Sequence, residues 1–153
     1  MSRTLGISVP SPCDSSAPAF ALPAAEFQDL FNSPTIDLRL LLENCLGKPL
    51  FAVSLLEEFA RTAASRVEEF EDQSQQGNLR TIAEMAHGLR GVADIFGARA
   101  VRDITIDTEA ACQNGDLAQT QRLVQQLRRE VQRIRQDIPH LCLKLKSQPD
   151  DQA

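Results

Sequence analysis

The chain has 153 residues, of which 42% are apolar and 24% charged, and its formal charge is −5. That length supports one ordinary domain with a packed core and not two large ones. The acidic balance, with no Trp or Tyr, argues against a general nucleic-acid binder, which needs basic surface and stacking rings. The apolar runs are too short to cross a membrane, and the first twenty residues lack the continuous apolar stretch of a signal peptide. Cys13, Cys45, Cys112 and Cys142 are scattered without metal-ligand spacing. They read as free thiols of a reducing cytoplasm.

In chain order, residues 1–25 are rich in Pro, Ser and Ala and read as a flexible leader. Residues 26–146 form the expected domain, and 147–153 a disordered tail. Gly47, Gly77, Gly97 and Gly115 each follow an amphipathic stretch, where a left-handed residue ends a helix. Asn78 and Asp116 follow two of them as N-caps, and Asp116 with Gln119 resembles a capping box. The helices so delimited span about 35–46, 49–76, 78–96, 98–114 and 116–138.

The second helix carries a stripe of Val53, Leu56, Ala60, Ala63, Val67 and Phe70. The third carries Leu79, Ile82, Ala86, Leu89, Ala93 and Phe96, and the fifth Leu117, Val124, Leu127, Val131, Ile134 and Ile138. Alternating steps of three and four give each helix one buried face. The fourth is less regular, with Val101, Ile104, Thr108 and Ala111 as its best stripe. Short connections between such helices predict an all-α, antiparallel up-down-up-down four-helix bundle, with the short first helix capping one end. One clear stripe per helix makes a monomer the default. Pro139 is expected to interrupt or end the fifth helix, and the alternating apolar residues of "HLCLKLK" read as a short extended segment. His140 lies in that tail without distinctive neighbours. The basic run Arg128, Arg129, Arg133 and Arg135 reads as a solvated helix side.

The third helix holds the unusual stretch, "AEMAHGLRGVADIFGA" at 83–98, with Gly88 and Gly91 in mid-helix beside His87. Each interior glycine costs about 1 kcal/mol against alanine. Since Ala86 belongs to the stripe, His87 lies about 100° further round and faces outward. Ala83, Glu84, Arg90 and Gly91 are its neighbours at three and four residues. Small residues clear the approach to an accessible imidazole, which is a competent nitrogen nucleophile near neutral pH. Arg90, one turn away, can offset the charge of an incoming phosphoryl group. No Gly-rich nucleotide loop and no carboxylate cluster for a metal accompany them.

Ala86-His87, Leu89, Arg90, Gly91 and Gly97-Ala98 together resemble the signature of the histidine-containing phosphotransfer (HPt) domain. The opening helices around Phe59 and the closing pair around Gly115-Asp116 are similar to that family too, over roughly residues 36–138. The resemblance implies a histidine phosphotransfer protein and not a self-sufficient enzyme. His87 would be the phosphoacceptor, taking a phosphoryl group from a receiver-domain aspartate, or from a (hybrid) histidine kinase, and passing it to another receiver aspartate. Arg90 stands where the family commonly has lysine, and Gly91 matches the glycine that leaves the ring exposed; Gly88 is read from its place beside His87 alone. No cofactor of its own is implied, because Mg²⁺ would sit on the partner receiver. Docking would use Ala83, Glu84, Gly88, Arg90, Asp94 and Ile95 with an adjacent face of the second helix, Ile95 reading equally as bundle packing. Val92 and Ala93 depart from the small polar residues usual after that glycine, and the charge of Asp94 would oppose phosphoryl binding weakly. The alternative is an HPt-fold adaptor that binds a receiver or kinase without transferring phosphoryl.

Overall fold

A computed structural model describes residues 35–148; the expected leader, residues 26–34 and the tail beyond 148 lie outside the described residues. The described residues form five helices and no strand: α1 (Leu38–Asn44), α2 (Pro49–Gln76), α3 (Leu79–Phe96), α4 (Arg99–Gln113) and α5 (Leu117–Lys146). This is the all-α class that the periodicity predicts.

The stripes are the core, except that Leu117 is exposed and Ala60 and Leu79 are only partly buried. Val53, Leu56, Ala63, Val67 and Phe70 of α2 meet Ile82, Ala86, Leu89, Ala93 and Phe96 of α3 and Val124, Leu127, Val131, Ile134 and Ile138 of α5, all buried. Phe59 and Phe96 meet edge to face at 5.3 Å, a geometry worth about 0.5–1.5 kcal/mol beyond its buried area. α2 and α4 each pack on both α3 and α5, so α3 and α5 occupy opposite corners of the bundle. Cross-helix pairs run in opposite chain senses. Arg102 and Glu109 of α4 reach Asp94 and His87 of α3, and Arg128 and Lys146 of α5 reach Glu71 and Glu57 of α2.

α1 buries Leu38, Leu41 and Leu42 and closes the bundle end where α3 terminates. The Asp37 N–H donates to the carbonyls of Phe96 and Gly97, and Asn44 Nδ2 donates to the Ile95 carbonyl at 2.9 Å. Gly97 is obligatory at this junction. Its φ is +66°, and a Cβ there would lie 2.4 Å from Asp37 Cβ. Such proximity explains why a helix ends on glycine just where another element crosses it.

Local details depart from expectation. Asp116 caps α5 by accepting from the Gln119 N–H at 3.0 Å, but the Gln119 side chain turns to Arg122 and leaves the capping box half made. Asn78 precedes α3 without capping it; its amide donates to Gln73 Oε1 instead. In α4 the buried set is Val101, Thr105, Thr108, Ala111 and Cys112, and Ile104 is only partly buried. Thr105 can sit inside because its hydroxyl donates to the Arg102 carbonyl at 2.7 Å, so its burial leaves no polar group unsatisfied.

The reading of Pro139 as an end and of "HLCLKLK" as extended is corrected. α5 runs through Pro139 to Lys146. Pro139 is exposed, so the carbonyl it leaves unpaired one turn back faces outward rather than into the core. Leu141, Cys142 and Leu145 are buried, which continues the three-and-four step from Ile138, while Leu143 is 68% exposed. Ser147 and Gln148 hydrogen-bond back to the last turn. No helix among the described residues is long and apolar enough to cross a membrane.

Candidate functional site

α3 positions the site. Ala86 and Leu89 anchor its inner face in the core, and the 100° step per residue turns His87 outward. The His87 side chain is 73% exposed. Its Nδ1 lies 3.2 Å from Oε2 of Glu109 on α4, and the other oxygen of that carboxylate, Oε1, accepts from Arg90 Nη1 at 3.2 Å. Glu109 is 18% exposed, so one half-sheltered carboxylate holds both the imidazole and the guanidinium. An ionised carboxylate only accepts, so Nδ1 carries the proton in this contact, and in the neutral ring Nε2 keeps its lone pair.

The two interior glycines border the ring. A Cβ at Gly88 or Gly91 would meet no atom within 4 Å. Neither adopts a positive φ; the glycines that do are Gly47, Gly77, Gly97 and Gly115. Close helix packing and backbone strain, the usual structural reasons for a glycine, are therefore both absent at these positions.

The remaining candidates divide. Glu84 is exposed and pairs with Arg80 at 3.5 Å. Asp94 pairs with Arg102 of α4 at 2.9 Å, so its charge is offset locally. Ile95 is 45% exposed and lies about 12 Å along α3 from His87, on the side of Glu84, Gly88 and Gly91. Ala83 is partly buried against the core and belongs more to packing than to the open face. Arg90 is 38% exposed and tied to Glu109. His140 is on α5, at the opposite corner of the bundle, with no part in this cluster. Among the described residues, no group of His, Cys, Asp and Glu is placed to hold a metal ion. Cys45, Cys112 and Cys142 are free and buried, and burial raises all three thiols above their ordinary pKa.

Sequence reasoning missed Glu109. It lies next to Thr108 in a helix whose stripe was the least regular, and its partners are twenty-two and nineteen residues away. A contact across two helices leaves no mark on the periodicity of either. The available signal was its place beside the buried Thr108, on the border of the α4 stripe.

The family model described as "Hpt domain" matches residues 54–137, a span that holds His87, Arg90 and Glu109 and covers more than half of the chain. No curated protein and no solved structure gives a significant match. Domains of the matched family are phosphoryl carriers that work with receiver domains and histidine kinases in phosphorelays. An outward histidine on an all-helical bundle, with the family match spanning it, makes the conclusion plain: this chain belongs to the histidine-containing phosphotransfer (HPt) family.

Proposed function

We propose that the protein is a phosphorelay intermediate in which Nε2 of His87 is the phosphoacceptor. The observation that carries this reading is the engagement of Nδ1 by Glu109, which leaves Nε2 as the free nitrogen of an exposed ring. In the forward step the Nε2 lone pair attacks the phosphorus of a receiver's aspartyl phosphate. The bond from phosphorus to the carboxyl oxygen breaks, and the aspartate leaves as a carboxylate. The ring keeps its Nδ1 proton and becomes a phospho-imidazolium, whose positive charge faces Glu109. Donation to a second receiver reverses these events, so no net proton or electron is consumed.

Such transfer asks mainly for position and charge stabilisation. Arg90 offsets the charge of the phosphoryl oxygens through its remaining donors while Nη1 stays on Glu109. Glu109 is a positioning residue: it fixes the tautomer and turns the ring. Mg²⁺ and the acidic pocket belong to the receiver. The approach runs over Gly88 and Gly91, and Glu84, Asp94 and Ile95 border the docking face.

The test is transfer from a charged receiver in the presence of magnesium. Acid-labile label should appear on the protein and be missing in His87→Gln. Label persisting in that variant would refute the assignment. An adaptor that only binds would show receiver binding without label in the unaltered protein.

A further inference from the structure

The charge on this molecule is lopsided. α5 carries seven arginines and lysines against two carboxylates, a net of +5, so the rest of the chain carries −10 within its total of −5. Both carboxylates are engaged: Glu130 accepts from Arg133 at 3.0 Å and Asp137 accepts from Thr35 at 2.6 Å. The exposed positions of the helix are Ala, Arg, Gln, Leu, Pro, His and Lys, with no acid among them.

Arg122, Arg129 and Arg133 follow one another at seven and four residues. That spacing puts them on one outward face, about 10 and 6 Å apart along the axis. Among the described residues, Arg122 is held only by its neighbour Gln119, and Arg129 has no partner. Gln125, Gln126 and Gln136 lie among them, all exposed. This face is on the corner of the bundle opposite α3, so a partner seated there leaves His87 open.

We propose that the outer face of α5 binds an acidic, extended segment of a partner protein while the His87 face is free to exchange phosphoryl groups. Planar guanidinium forks suit carboxylates, and glutamine amides supply both donors and acceptors for an extended backbone. Other polyanions fit worse. The face offers no aromatic ring for a base to stack on and no apolar row to enter a bilayer. Tethering by this face would raise the effective concentration of a receiver at His87 without any new contact there. The proposal uses no residue of the His87 site, so it stands or falls apart from the phosphotransfer reading.

The experiment titrates the full ¹⁵N-labelled chain with a short oligo-glutamate peptide at low and high salt. Saturable shifts centred on Arg122, Arg129 and Arg133 are expected. Affinity should fall about tenfold or more when all three are changed to Glu, since three exposed charge contacts are reversed. Thermal melting verifies that the variant folds, and its acceptance of phosphoryl should be unchanged. Absence of saturable binding, shifts centred elsewhere, or equal binding by the Arg122→Glu/Arg129→Glu/Arg133→Glu variant would overturn the proposal. So would tighter binding of this face to anionic vesicles or a DNA oligonucleotide, or self-association of the chain that the triple change abolishes.

Discussion

Changing Gly88 and Gly91 to alanine separates what the fold needs from what the site needs. Both glycines are helical, and an added Cβ would meet nothing within 4 Å at either position. Helix propensity alone then predicts a gain of about 0.8–1 kcal/mol per substitution, part of it through the less flexible unfolded chain. The pair should stabilise by about 1.5–2 kcal/mol, which for a domain of this size raises Tm by roughly 6–10 °C. The same methyl groups occupy the approach to His87, one residue and one turn away. Transfer between two docked proteins depends on near-attack geometry, where a 1 Å misplacement costs about 10²-fold, so the pair should slow transfer at least about tenfold. Circular dichroism melts and a time course of label from a charged receiver measure the two effects on one sample. A lowered Tm would show that the fold needs these glycines. A raised Tm with an unchanged transfer rate would show that they clear no path for a partner.

Glu109→Ala should leave the fold intact, shift the His87 ring toward a mixture of tautomers in ¹⁵N NMR, and slow transfer two- to fivefold, as expected for one charge-assisted bond to an exposed ring worth about 0.5–1 kcal/mol; an unchanged tautomer would remove Glu109 from the account. Pro139→Ala restores a helix N–H at an exposed position of α5 and should stabilise by about 1–3 kcal/mol in urea unfolding; a loss of stability would mean that the fold requires proline at this position. The buried thiols of Cys45, Cys112 and Cys142 are raised above their ordinary 9.0, so the unfolded chain loses those protons first. Their contribution is complete below pH 9.0 and is lost as pH rises from there through the folded values. Alkaline unfolding of the Cys45→Ala variant should therefore be less steep than that of the unaltered chain, and an identical profile would contradict the burial of that thiol.

The helices were legible where apolar residues alone mark the buried face, as Leu56, Ala63, Val67 and Phe70 do in α2. They were less so where threonine is buried. Thr108 was placed in the α4 stripe by its spacing, but Thr105 looks polar in the sequence, and a bond to its own helix lets it take the buried place expected of Ile104. The end of α5 was misread because Leu141, Leu143 and Leu145 alternate, while the burial of Leu141, Cys142 and Leu145 follows a helical step past an outward-facing proline. At the site, His87, Arg90 and the glycines share one helix, so a single periodic pattern placed them. Glu109 comes from another helix, and only packing brings it to the ring.

The central claim concerns one atom, and the most direct measurement identifies it. Charge the ¹⁵N-histidine-labelled protein from a phosphorylated receiver with magnesium and record the imidazole nitrogens together with the ³¹P spectrum. The account predicts a single phosphoramidate on Nε2 of His87, with Nδ1 still protonated against Glu109. Phosphorus on Nδ1, on His140, or on no histidine at all would contradict it.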